Sequence, residues 1–184
     1  MALHKNFING EWTAGAGAKE NINPSDVTDI IGEYAQADKA QTDTAIAAAQ
    51  AAFPAWAATT PQQRADILEA AGIELLARKD EIGRLLSREE GKPLANGIAE
   101  TMRAAQIFKF YAQETLRMEG VSVASVRAGV DVAITREPLG VVGLICHGTS
   151  PLQFRPGKWR RLWPMAIPLS SNLLILFPVR LGPW

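Results

Sequence analysis

Hydrophobic and polar positions alternate with a period of two near the start of this chain, then switch to the helical period. Phe7-Ile8-Asn9-Gly10-Glu11-Trp12 sets β-forming residues on both sides of Asn-Gly, a strong two-residue hairpin signal. Asn23-Pro24-Ser25-Asp26 predicts a turn, and Asp29–Tyr34 the next strand. From about Ala40, the residues Ala45, Ile46, Ala49, Ala52, Phe53 and Trp56 share one helical face. Pro54 is expected to kink or end that helix before Trp56, because it removes a backbone donor.

A second helix starts at Thr60-Pro61-Gln62-Gln63: Thr60 caps, Pro61 suits the first helical position, and Gln63 completes a capping box. Ile67, Leu68, Ala71 and Leu75 then face inward. A third helix carries Ile82, Leu85 and Leu86 and stops near Gly91, with Pro93 close behind. A fourth runs from about Asn96 to Leu116 and is expected to bury Met102, Ala105, Phe108 and Tyr111. Val121–Val123 and Val130–Ile134 alternate like antiparallel strands around Gly129. The apolar run within Pro138–Ile145 suits a strand covered on both faces. Hairpin, helices, hairpin and buried strand together predict an α/β protein at the start of a parallel sheet.

At Ile145–Cys146 the character changes. Three of the five tryptophans fall in the last 34 residues, where prolines are dense and no acidic residue occurs. Over all 184 residues nineteen basic and nineteen acidic side chains leave zero formal charge, so nothing draws the whole chain to nucleic acid or anionic lipid. One cysteine excludes an internal disulfide framework and a multi-cysteine metal site, which fits a reducing cytoplasm. Met1–Trp12 lacks the pattern of a signal peptide, and Pro164, Pro168 and Pro178 break the tail below membrane-spanning length. The expectation is a cytoplasmic protein with no membrane partner.

Several segments resemble the aldehyde dehydrogenase superfamily, the NAD(P)-dependent enzymes that oxidise aldehydes to carboxylates. They are Phe7–Trp12, Asn23-Pro24, Ala52-Phe53 with Trp56, Arg64, Glu90-Gly91-Lys92-Pro93-Leu94, and Arg136-Glu137-Pro138-Leu139-Gly140-Val141-Val142. Each is short, but their order and spacing agree from Phe7 to Ile145. Leu85–Lys92 and the Ile134–Pro138 entry look closest to semialdehyde dehydrogenases of the 2-oxoglutarate semialdehyde (2,5-dioxopentanoate) type. The resemblance implies an incomplete N-terminal portion of that fold: hairpin, helices, antiparallel strands and the first strands of a Rossmann-like parallel sheet. It divides the chain into a partial cofactor-binding and oligomerisation-strand region over 1–145 and a tail over 146–184.

In the family this strand is followed by Thr-Pro-Trp-Asn-Phe-Pro, which is missing here. The genetic code accounts for the loss. Reading the codons from His147-Gly148-Thr149-Ser150-Pro151 into Leu152 one base earlier permits Trp-Asn-Phe-Pro-Ile. Carried through Leu173, the same shift permits WNFPIAIPAWKVAPALAYGNTVVFKP. Residues from about Cys146 to Trp184 therefore read as an out-of-frame tail, from a lost base or a base-calling error.

Cys146 has the chemistry of the family's nucleophile, a thiolate that attacks the aldehyde carbon, but the family places that cysteine in a much later segment. His147 beside it is incidental on the same reading, and Ser150, between Thr149 and Pro151, has no nucleophile elbow. Arg155, Lys158, Arg160 and Arg161 with Trp159 form a small basic-aromatic patch of the kind that meets nucleic acid or lipid; the frame change explains it without a partner. Leu173–Phe177 is uncharged and apolar, an aggregation hazard. Arg88-Glu89-Glu90-Gly91-Lys92 reads as solvated charges around a C-capping glycine, and Gly140 with Gly143 lacks the following helix of a phosphate-binding loop.

No residue of 1–145 matches a catalytic position, and none is a metal ligand. The backbone of Leu144 and Ile145 would border the cofactor cleft in a complete enzyme. The resemblance implies NAD or NADP in the intact family, a small aldehyde as substrate, and homo-oligomers built through strands near Val121–Ile134. The fragment itself is expected to bind no cofactor, to catalyse nothing and to fold poorly.

Overall fold

The computed structural model describes residues 3–144 together with Leu174 and Ile175. Nine strands and four helices are found among them. Strands β2 (Asn6–Ile8) and β3 (Glu11–Thr13) form the first hairpin, with Phe7 opposite Trp12. Its turn residues Asn9 and Gly10 both have positive φ, 53° and 84°, as the mirror-image hairpin turn requires. Phe7 and Trp12 rings pack 4.9 Å apart across the pair.

A three-stranded sheet in the order β1-β5-β4 lies beside it, from β1 (Leu3–His4), β4 (Gly17–Ile22) and β5 (Ile30–Gln36). β1 runs parallel to β5 and β4 antiparallel to it. β5 is the strand expected from Asp29; β4 was hidden by its polar residues Lys19, Glu20 and Asn21, which lie on a solvent-facing edge and carry no alternation.

Helix α1 (Lys39–Ala57) starts on Asp38, whose side chain accepts from the Gln41 backbone, and buries Ala45, Ala49 and Trp56. Of the two outcomes expected at Pro54, ending does not occur: the helix runs through it to Ala57. The proline sits in the last turn, where its carbonyl still accepts from Ala58 at 3.1 Å, and the carbonyl freed at Gln50 lies on an exposed residue. Losing one hydrogen bond at a wet helix end costs little. Ile46 also departs from the expected face, remaining exposed.

Helix α2 (Pro61–Ala77) begins on the predicted box: Gln63 N–H donates to Thr60 Oγ1 at 3.2 Å, and Thr60 N–H donates to Gln63 Oε1 at 2.9 Å. Helices α3 (Lys79–Glu90) and α4 (Leu94–Leu116) form an antiparallel elbow around Gly91, which takes the left-handed conformation with φ 68°. α4 packs along both α2 and α3. Leu68 and Ala112, flanked by Ile67 and Phe108, make the apolar centre of the α2–α4 contact.

The face of α4 turned inward is small: Gly97, Thr101, Ala104, Ala105, Ala112 and Thr115. Met102, expected inside, is 37% exposed. It lies about 140° around α4 from Gly97, off the inward face. A Cβ on Gly97 would lie 2.3 Å from the Gly83 carbonyl oxygen, so this seam has no room for long side chains. Leu85 on α3, about 200° around the helix from Gly83, likewise lies away from the seam.

Strands β6 (Val121–Ala124) and β7 (Asp131–Ile134) pair antiparallel, Val123 opposite Val132, and every residue in both is exposed. The last strand expected, Pro138–Ile145, is reduced to β8 (Gly143–Leu144), which pairs antiparallel with β9 (Leu174–Ile175). Pro138 offers no donor and Gly140 adopts φ 100°, so the extended run starts late. A parallel mate needs a crossover to deliver it; among the described residues β8 meets only β9. The whole is a mixed helix and strand arrangement with partial sheets, a partial α/β fold.

Candidate functional site

The densest polar constellation lies where the end of α3 meets the turn before β5 and the start of α4. Two local features assemble it. Asn23 orders its turn by accepting from Ser25 N–H at 2.9 Å, while Gly91 reverses the chain so that Lys92 points back under α4. Ser25 Oγ donates to the Gly91 carbonyl at 3.1 Å and ties turn to elbow.

Three groups of contacts follow. Arg88 donates to Asp29 from Nε at 2.9 Å and from Nη2, a two-pronged contact, and Asn23 Nδ2 adds a donor to Asp29 at 3.1 Å. The Arg88 hydrogen bond, then that from Asn23, hold the Asp29 carboxyl down to about 2. Glu89 Oε1 accepts from Asn21 at 2.9 Å and from the Tyr34 hydroxyl at 3.2 Å. Burial, with the Glu89 charge beside it, pushes the Tyr34 phenol up to about 12.

Deeper in the elbow, Lys92 Nζ reaches Glu100 Oε2 at 2.5 Å and Glu90 Oε2 at 2.7 Å. Burial raises Glu90 above the usual carboxylate range despite the lysine. Burial works to lower Lys92, but Glu100 and Glu90 outweigh it and leave it raised. The expectation that the charges of Arg88–Lys92 lie in water is thus corrected: Glu90 and Lys92 are enclosed, because the left-handed Gly91 turns both toward Glu100 instead of outward. Gly91 itself caps α3 as predicted.

Such a site can neutralise charge and hold three elements in register. Its Ser25, Tyr34 and Lys92 are each engaged in these contacts, and among the described residues no three His, Cys, Asp or Glu side chains converge as metal ligands would. Glu100 escaped the sequence reading. Its signal was a carboxylate within the small-residue face Gly97, Thr101, Ala104, where a charge needs a partner.

Of the residues weighed on sequence, Leu144 lies in β8. Ile145, Cys146, His147, Ser150, Arg155, Lys158, Trp159, Arg160 and Arg161 lie outside the described residues, as does Leu173. Among the described residues no helix is long and apolar enough to cross a membrane.

The pattern described as the aldehyde dehydrogenase family matches residues 12–154. An alpha-ketoglutaric semialdehyde dehydrogenase of Bacillus subtilis (strain 168) is 35% identical over 176 residues, covering 94% of this chain and 35% of that protein. A malonate-semialdehyde dehydrogenase of Listeria monocytogenes serotype 4b (strain CLIP80459) is 32% identical over 173 residues, covering 93% of this chain and 34% of its own. A crystal structure described as an E. coli NADP dependent enzyme superimposes with TM-score 0.68 at 30% identity, covering 77% of this chain and 28% of the other. The chain spans about a third of the length of the curated relatives it matches.

Proposed function

Because the chain belongs to the aldehyde dehydrogenase family, with residues 12–154 matched, we propose that it is the opening portion of an NAD(P)-dependent enzyme that oxidises a semialdehyde to a carboxylate. One observation carries the reading: the Glu90–Leu94 motif, matched on sequence, folds as a built elbow joining β4–β5, α3 and α4. The relatives named above, which act on semialdehydes by their descriptions, support the substrate class.

The 184-residue chain by itself is inactive on this reading. The family's oxyanion-stabilising asparagine follows a tryptophan that the frame change removes, and its nucleophilic cysteine and general-base glutamate belong to later segments. Without those groups most transition-state stabilisation is missing. Cys146 is the chain's one cysteine and does not stand in for the nucleophile. NAD or NADP would not be held, since Leu144 and Ile145 supply only one border of a cleft. The out-of-frame origin of 146–184 is supported by the recoverable family sequence; the family match itself runs on to Phe154, and pairwise alignments covering 93–94% of the chain run further. The low cysteine content supports a cytoplasmic setting.

The test is NAD(P)H formation with small semialdehydes, comparing this chain with the product of a frame-restored gene. The restored product should turn over and this chain should not; turnover by this chain alone would sink the reading. A second reading, a non-catalytic interaction fragment or pseudogene product, is favoured by β6–β7, whose residues are exposed throughout. Such a hairpin could join the equivalent strands of an intact relative. Capture of an intact relative by the tagged chain supports this, and failure to capture removes it.

A further inference from the structure

At the elbow between α3 and α4, two carboxylates share one ammonium. Lys92 Nζ contacts Oε2 of both Glu90 and Glu100, so the triad keeps one excess negative charge. The side chains of Glu90, Lys92 and Glu100 are only 13%, 17% and 4% exposed. The other oxygen of Glu90, Oε1, is buried and has no hydrogen-bond partner, donor or acceptor, among the described residues. Glu90 is also the last residue of α3, where the helix dipole already presents its negative end. A carboxylate so placed loses hydration on closing the elbow and regains it on opening.

We propose that Glu90 is a proton-operated latch on the α3–α4 elbow: with its carboxyl neutral it rests closed, and ionised it favours opening of the last turn of α3. The proton comes from solvent and returns to it. The charges acting on Glu90 are Lys92 from the elbow and Glu100 from α4. The neighbouring charges are committed elsewhere, Arg88 to Asp29 on the turn before β5, and Glu89 to Asn21 and Tyr34 on β4 and β5. Burial holds Glu90 above the usual range, so the closed elbow is most stable below the ordinary glutamate value. That stability is lost as pH rises through the raised value.

Amide hydrogen exchange of Arg88–Gly91 in the full chain tests this, corrected for intrinsic rates and followed from neutral pH down to about pH 5. In the unaltered chain, opening of this turn should fall severalfold on acidification. In Glu90→Gln, opening should be low throughout and independent of pH. An equal pH response in both, or none in the unaltered chain, overturns the proposal. Should the variant not fold, the carboxyl carbon shift of Glu90 in the unaltered chain decides: a midpoint above the ordinary glutamate range supports the latch, and one at or below it overturns it.

Discussion

Arg88 and Asp29 meet across 59 positions of sequence in a two-pronged contact that fastens the end of α3 to the turn before β5. The geometry matters more than the charge, because a planar guanidinium matched to a carboxylate fixes direction as well as distance. The native Asp29 carboxyl is held near 2, below its ordinary value of 3.8. Its contribution is therefore fully present above the ordinary value and lost as pH falls toward 2. Urea midpoints of the chain and of Asp29→Asn should differ at neutral pH, and the gap should narrow from about pH 4 downward. A gap constant with pH would show that Arg88 does not set this ionisation.

The seam between α3 and α4 tolerates no added atom. A Cβ on Gly97 would lie 2.3 Å from the Gly83 oxygen and 2.4 Å from Ser87 Oγ. Gly97→Ala should cost about 1–3 kcal/mol despite improving helix propensity, the usual range for overpacking. Stabilisation by that substitution, measured in urea, would mean the helices sit further apart.

Thr60→Ala removes the side-chain half of the box that opens α2, since Gln63 N–H then has no acceptor there, while the Thr60 backbone N–H keeps its bond to Gln63 Oε1. A loss of about 1 kcal/mol is expected, and Thr60→Ser should keep most of it. Equal losses in the two variants would show that the methyl group, and not the hydroxyl, matters.

Val123 and Val132 face each other in the β6–β7 pair with both side chains well exposed. Val123→Lys should change the stability of this chain by no more than about 0.5 kcal/mol. The same variant should lose capture of an intact relative if the hairpin is an assembly edge. Unaltered capture would place the contact elsewhere.

Local chemistry was the legible part of the fold. Asn9-Gly10, the Thr60 box and Gly91 each need only their own neighbours, and each appears where its residue types demand. Long-range facts were less legible. Met102 reads as core by size, yet the inward face of α4 is the small-residue one through Gly97, Thr101 and Ala104, set by a glycine-to-glycine approach to α3 that neither glycine advertises. Pro54 reads as a terminator, but its cost vanishes in the last turn of a helix that ends three residues later. The elbow site was half visible: its motif could be matched by resemblance, whereas the burial of Glu90 and Lys92 depends on Glu100, two turns into the next helix. The strand at Gly143–Leu144 could not be read for pairing, because a strand's partner is decided by the segment that follows.

The claim that ties these parts together is that family sequence continues past Ile145 in another reading frame. DNA sequencing from Gly140 to Ser150 and on through Leu173 tests it directly. The account predicts that reading one base earlier at His147 spells Trp-Asn-Phe-Pro and continues to Val-Val-Phe-Lys-Pro. Codons that spell anything else in that frame would contradict it.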